Sequence, residues 1–157
     1  MREEFKLIRL RQAVSAVVFK ENKFLMVSGK NWSEKDWCFP QGGINPKETH
    51  FQAVERELKE ELGTDNFKIL TKSSIEHMYI FPLKIQEKKG CEGQFQTIWF
   101  VEFKGDFGEI KPNKEELLQY SWFNKQEIIP NMNFPEQKQT FEKVLEELTK
   151  LQEDRIF

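Results

Sequence analysis

Extended runs joined by tight turns and interrupted by two segments of helical period predict an α+β chain or a sheet covered by helices on both faces. Three observations carry this. Residues 11–20 and 23–28 are rich in β-branched and aromatic side chains and flank the two-residue turn Glu21-Asn22. After Thr49, the spacing of Phe51, Val54, Leu58 and Leu62 makes one apolar helical stripe. Within residues 134–151, Phe141, Val144, Leu145 and Leu148 repeat that period.

In chain order, residues 29–35 read as a polar loop after the first hairpin. Trp37-Cys38-Phe39-Pro40-Gln41 leads into a turn at Gly42-Gly43, where Pro40 and the paired glycines permit a close backbone approach. Thr49 with Gln52 forms a capping box, and Gly63 directly after Leu62 is a C-terminal stop, so a helix lies between them. Residues 67–70 and 75–81 alternate as two strands. Residues 84–93 are charged and punctuated by glycine, and read as a loop. Residues 94–103 are the strongest strand, and residues 120–123 a further short one.

The 157 residues suffice for one domain over 1–157 with a sizeable core, and fifteen Phe supply large apolar surfaces to fill it. A formal net charge of −2 excludes the global basic field that announces nucleic acid. Arg2, Lys6, Arg9, Arg11, Lys20, Lys23 and Lys30 nonetheless make the first strands locally basic. Cys38 and Cys91 are too few for a disulfide framework and lack metal-type spacing, so no disulfide-linked partner is expected. The first residues lack an apolar segment of signal length, and no run reaches membrane-spanning length. A soluble, reducing, cytoplasmic setting without a membrane partner is the expectation. His50 and His77 stand alone and read as structural, and Trp37 as loop packing.

The chemistry concentrates on the capped helix. At about 100° per residue, Glu61 sits ~40° from Glu57 on one side and Glu60 ~60° away on the other. Three carboxylates share a narrow face, where like charges repel unless a cation sits among them. Clustered carboxylate oxygens suit a hard ion such as Mg²⁺, which keeps several waters and picks up substrate phosphates. An acidic face alone is also what a solvated surface helix displays. The wider spacing separates the two readings. Five residues lie between Gly42 and Glu48 and seven between Glu48 and Arg56; Glu57, Leu58, Glu60, Glu61 and Gly63 follow.

This pattern resembles the box of the Nudix hydrolase family, Gly-x5-Glu-x7-Arg-Glu-apolar-x-Glu-Glu-x-Gly-apolar. Every fixed polar and glycine position is matched, and Thr64 replaces the last apolar residue. The stretch from Trp37 to Pro46 further resembles the subgroup of RNA 5′-pyrophosphohydrolases and diadenosine polyphosphate hydrolases, with Lys47 where that subgroup commonly has Gly. Arg11 resembles the Arg that opens the first strand, Tyr79 and Pro82 a Tyr-x-x-Pro segment, and Gly93-Gln94-Phe95-Gln96 a Gly-Gln-x-Gln strand start. Glu116 with Tyr120 and Trp122 resembles a Glu-Phe-x-x-aromatic-x-aromatic stretch, with Leu117 in place of the Phe. Gln137-Lys138-x-x-Phe141 resembles Lys-Arg-x-x-Tyr only in a charge and an aromatic. The fold implied is α/β, an α/β/α sandwich whose mixed sheet is flanked by helices.

The resemblance implies a Mg²⁺-dependent pyrophosphohydrolase, with Mn²⁺ as the alternative ion. Metal ions reduce the repulsion between a polyphosphate and an attacking water and lower the pKa of that water, so a carboxylate can complete its deprotonation. Glu57, Glu60, Glu61 and Glu116 are the implied ligands, Glu116 being also the candidate base. Glu115 beside it leaves the register open. Arg56 and Glu48 are expected to pair and fix loop to helix, with Glu48 open between structure and chemistry. Arg11, Lys30, Gly42, Gly43, Tyr79, Gln96 and Lys138 are the expected substrate contacts, and the small Ala53 is expected to leave room for phosphate. A dinucleoside polyphosphate of the diadenosine tetraphosphate type and the 5′-triphosphate end of RNA fit the same motifs. A nucleoside triphosphate or a nucleotide sugar is the alternative among hydrolases. A non-catalytic nucleotide-binding module is the alternative outside them; such modules typically lose box glutamates, and this chain keeps them all.

Overall fold

Strand β1 (Leu10–Lys20) holds the middle of the molecule, because its two faces feed two different cores. Val14, Ala16 and Val18 point to one, Val17 and Phe19 to the other, as the two-residue period of a strand dictates. The computed structural model describes residues 7–30 and 35–157, with the side chain of Leu118 outside the description. Arg2, Lys6 and residues 31–34 of the expected polar loop lie outside the described residues. After β1 come β2 (Lys23–Gly29), β3 (Gln41–Gly43), α1 (His50–Leu62), β4 (Phe67–Ile80), α2 (Leu83–Lys89), β5 (Gly93–Phe103), β6 (Leu117–Asn124), α3 (Lys125–Asn131) and α4 (Pro135–Glu153).

The sheet runs β4-β5-β1-β2-β6, with β3 paired to β1 off this path. Only the β1–β5 pair is parallel, so the sheet is mixed. Helix α1 covers one face through Ala53, Val54, Leu58 and Leu62. Helices α3 and α4 cover the other through Ile128, Phe141, Val144, Leu145 and Leu148. Each fully buried aliphatic or Phe side chain contributes roughly 1.5–3 kcal/mol, so the C-terminal period is a strong determinant of the second layer. The α/β/α sandwich stands as expected. Among the described residues, no helix is long and apolar enough to cross a membrane.

The β1–β2 hairpin is paired only at Phe19–Phe24 and Lys20–Lys23. Beyond those pairs the two strands separate, and residues 38–43 fill the gap. Val27 and Cys38 exchange backbone bonds of 2.8 and 2.9 Å, Ala16 N–H donates to Pro40 O at 2.9 Å, and β3 pairs with Ala13, Val14 and Ser15. Gly42-Gly43 is therefore a strand, not the expected turn: backbone groups of β1 in the gap need partners, and β3 supplies them. The turn falls later, where Glu48 N–H donates to Asn45 O at 3.1 Å. Lys47 there has φ of +66°, a left-handed position that Gly would hold at lower cost.

Two further expectations are corrected, and one element is added. Residues 67–80 form one strand, β4, whose register against β5 shifts between Ile69 and Thr71 and between Lys72 and Glu76. Those irregularities broke the alternation into two apparent strands. The segment read as a loop at 84–93 contains α2, ended by Gly90 at φ of +69°. The short helix α3, with its Asn124–Glu127 capping box, was not legible as a separate element.

Candidate active site

Helix α1 is fixed at both ends before any chemistry is placed on it. Thr49 Oγ1 accepts from Gln52 N–H at 3.1 Å and Gln52 Oε1 from Thr49 N–H at 3.0 Å. Gly63 closes the helix at φ of +66°. Val54, Leu58 and Leu62 of the predicted stripe are buried, whereas Phe51 is 44% exposed and lies edge-on to Trp99. Ala53 is fully buried in the α1 core, so it leaves no room for a phosphate, contrary to expectation. Thr64 keeps its place by polar bonds instead of packing: its Oγ1 donates to Glu109 Oε2 at 3.2 Å and accepts from Asn66 N–H at 3.2 Å.

Arg56 organises the acids. Its Nε and Nη2 hold Glu48 at 2.8 and 2.9 Å, Nη2 also reaches Gly43 O at 2.8 Å, and Nη1 reaches Glu57 at 2.8 Å and Glu60 at 3.3 Å. The expected Arg56–Glu48 pair is thus a two-bond clasp joining the loop, β3 and α1. It holds the Glu48 carboxyl at about 2, with the Asn45 N–H adding to the effect. The Glu57 carboxyl is raised by burial, with Arg56 opposing.

The two glycines of β3 make room for these groups. A Cβ on Gly42 would lie 2.0 Å from Glu57 Cδ, and one on Gly43 would lie 2.6 Å from Arg11 Nη2. On the adjacent turn of the helix, Glu61 is 6% exposed, and among the described residues its Oε2 has no hydrogen-bond partner. Burial, then the charges of Glu57, Glu116 and Glu60, push its carboxyl up to about 9. Glu61 and Glu116 line one small cavity of about 130 Å³ with Val27, Cys38 and Gln41. Glu116 lines that cavity and Glu115 does not.

Gln41 is shared with a larger cleft of about 550 Å³, lined also by Arg11, Gly42, Tyr79, Phe81, Lys89, Gln94, Phe134 and Gln137. Arg11, Gly42 and Tyr79 are therefore brought together as expected. Gln96 is not at the surface of this cleft: it is fully buried and donates through Nε2 to Gln41 Oε1 at 2.5 Å. Gln94, two residues earlier and so on the same face of β5, lines the cleft in its place. Lys138 does not line the cleft; Gln137 beside it does. Lys30 is exposed on the other side, where its N–H donates to Glu116 O at 3.0 Å. Lys89 and Gln41 are absent from the expected contacts: Lys89 lies in a charged stretch that reads as a loop, and Gln41 carries no charge. The hollow of about 450 Å³ between α1 and β4 touches this network only through Arg56.

The donor chemistry suits a hard divalent ion: Glu61 offers a buried, unpartnered carboxylate oxygen, and three other carboxylates act on it electrostatically. Among the described residues, no three His, Cys, Asp or Glu side chains converge as a ready-made metal site. Arg56 holds Glu57 through Oε1 and Glu60 through Oε2, so each carboxyl keeps a second oxygen that could face an ion.

The chain belongs to the Nudix family: the model of the NUDIX domain matches residues 9–145. An RNA pyrophosphohydrolase of Bartonella bacilliformis is 30% identical, over 92% of this chain and 94% of its own. An RNA pyrophosphohydrolase of Nitratiruptor sp. is 30% identical, over 88% and 92%. Among solved structures, the E. coli dihydroneopterin triphosphate pyrophosphohydrolase superposes with a TM-score of 0.71 at 16% identity, covering 88% of this chain and 97% of the other. A C. elegans Ap4A hydrolase binary complex gives 0.69 at 17% identity, covering 90% and 99%. At those identities the structures speak for the fold. Nudix hydrolases as a family use divalent metals.

Proposed function

We propose that this Nudix hydrolase uses Mg²⁺, or alternatively Mn²⁺, to cleave a phosphoanhydride in the 5′-triphosphate end of RNA or in a dinucleoside polyphosphate. The observation that carries the reading is the buried, unpartnered Glu61 carboxylate sharing a cavity with Glu116, next to the Arg11 cleft. The names of the two relatives favour RNA ends as the first substrate to test. Residues 1–157 are read as a single domain, and the family match over 9–145 supports this. A reducing, cytoplasmic setting belongs to the same reading, with Cys38 and Cys91 both free.

Glu57, Glu60, Glu61 and Glu116 would hold the ion. When bound, it would supply positive charge against the polyphosphate and a water of lowered pKa. Arg56 positions Glu57 and Glu60 on α1 and anchors them to β3 through Gly43 O. Glu48 is committed to Arg56 by two bonds, so its role is to hold that clasp. Glu116, exposed on the stretch before β6, takes the proton of the attacking water. Arg11 holds phosphate from the cleft side, with Tyr79 beside it, and Lys30 from the side of Glu116.

The test is a substrate panel with Mg²⁺: triphosphorylated RNA, diadenosine tetraphosphate, a nucleoside triphosphate and a nucleotide sugar. The expected result is metal-dependent release of phosphate or pyrophosphate from one of the first two. Nucleotide binding without turnover of any substrate, with either ion, would make the protein a binding module instead.

A further inference from the structure

Helix α2 brings a second cation to the cleft. Lys89, its last residue, has Nζ 5.0 Å from the centroid of Phe81, and lines the cleft with Arg11, Tyr79 and Phe134. Arg11 is firmly placed: its Nη1 donates to Oε1 of the buried Gln94 at 3.2 Å, and its guanidinium crosses the bare face of Gly43. Among the described residues, neither Arg11 nor Lys89 has a carboxylate within ion-pair distance. Glu136 lines the same cleft and pairs with neither. Burial and, after it, the charge of Arg11 both act against the protonated form of Lys89. Two unpaired like charges facing one hollow are unfavourable until an anion joins them.

The rest of the cleft says what kind of anion fits. Tyr79 and Phe81 stand edge to face, their centroids 5.2 Å apart. Phe81 is buried and carries Lys89, so Tyr79 is the ring left open; cations beside it match a nucleotide, with its phosphate on the cations and its base on Tyr79. The reacting end of the site lies elsewhere, past Gly42, at Glu57 and Glu61.

We propose that Lys89 is a positioning residue which, together with Arg11, grips a phosphate of the substrate that is not cleaved, while the adjoining base rests on Tyr79. The proposal rests on the polyphosphate-hydrolase reading for its substrate, but the grip can be tested without turnover. Wild-type protein, Lys89→Met and Lys89→Arg are titrated calorimetrically, free of divalent ions, with inorganic tripolyphosphate, a nucleoside triphosphate and a 5′-triphosphorylated dinucleotide. Their KM and kcat are then measured with Mg²⁺ on the best substrate. Lys89→Met should weaken binding about tenfold and raise KM by a similar factor, with kcat within about twofold, as expected for a charge-assisted bond of uniform strength. Lys89→Arg should restore both. A loss already present with tripolyphosphate assigns the gripped phosphate to the polyphosphate chain; a loss confined to the dinucleotide assigns it to the internucleotide linkage. Unchanged binding of all three ligands in Lys89→Met overturns the proposal. So does an equal loss in Lys89→Arg, which would make Lys89 a packing residue for Phe81. If no substrate turns over, the binding arms still decide the grip, and the hydrolase reading alone fails.

Discussion

The carboxylate of Glu57 occupies the space that a side chain on Gly42 would need, 2.0 Å from the Cβ such a residue would carry. Gly42 does not have a positive φ, so this glycine is required by the side chain that crosses it and not by its own backbone. The consequence is a site built by close approach of α1 to a short inserted strand.

Gly42→Ala therefore displaces Glu57 without unfolding the chain, because the obstacle is the far end of a side chain. The expected outcome is a loss of kcat/KM on the order of 10²-fold, the usual cost of a small misplacement of a reacting group, with an unchanged circular dichroism spectrum. Wild-type kcat/KM in the folded variant would show that the position of Glu57 does not matter.

Addition of Mg²⁺ should raise the melting temperature, since a ligand that binds only the folded state stabilises it. Glu61→Gln keeps the shape of the side chain and cannot gain the charge that an ion would draw from the carboxyl, and should abolish most of that rise. Glu60→Gln should abolish less, because Glu60 is half exposed and already shared with Arg56. A full rise in Glu61→Gln removes Glu61 from the ligand set.

Glu48 gives a pH signature. The two bonds from Arg56, with the Asn45 N–H, hold its carboxyl at about 2, below the ordinary 4.5. A carboxyl depressed by folding stabilises the native state above its ordinary pKa and loses that contribution as pH falls through the folded value. The stability gap between wild type and Glu48→Gln should be full at pH 7 and shrink between about 4.5 and about 2. Denaturant melts of both proteins across that range check it; a gap constant with pH means that the clasp does not depend on the charge of Glu48.

The sequence carried the parts of the fold that have local causes. Thr49, Gln52 and Gly63 bounded α1, and the period of Phe141, Val144, Leu145 and Leu148 found α4, because caps and stripes act within a few residues. Position 42 misled because a glycine pair has two uses, turn and close approach, and only tertiary structure chooses between them. Phe51 sits at the edge of its helical stripe, and the α1 core closes without it. Gln94 and Gln96 are both buried, and only Gln94 lines the cleft, a difference that no local pattern encodes. Spacing found Arg56, Glu57, Glu60 and Glu61. It could not say that Arg56 bonds to Glu48, Glu57 and Glu60 at once, since that depends on where β3 lies against α1.

The division of labour among the carboxylates turns on Glu116. Glu61 and Glu116 both line the small cavity. Glu61 is buried and suited to hold an ion; Glu116 is exposed and able to pass a proton to solvent. Glu116 N–H donates to Asn113 O at 3.1 Å and its carbonyl accepts from Lys30, whereas Glu115 N–H donates to Asn113 Oδ1 at 3.0 Å. Glu116→Gln should lower kcat by 10²–10⁴, roughly the general-base range, with the melting temperature unchanged in the absence of metal. Glu115→Gln should leave kcat close to wild type. Loss confined to Glu115→Gln would shift the base by one residue. Full activity in both variants would move the base onto α1, where Glu57, bonded to Arg56 through one oxygen, is the next acid to replace.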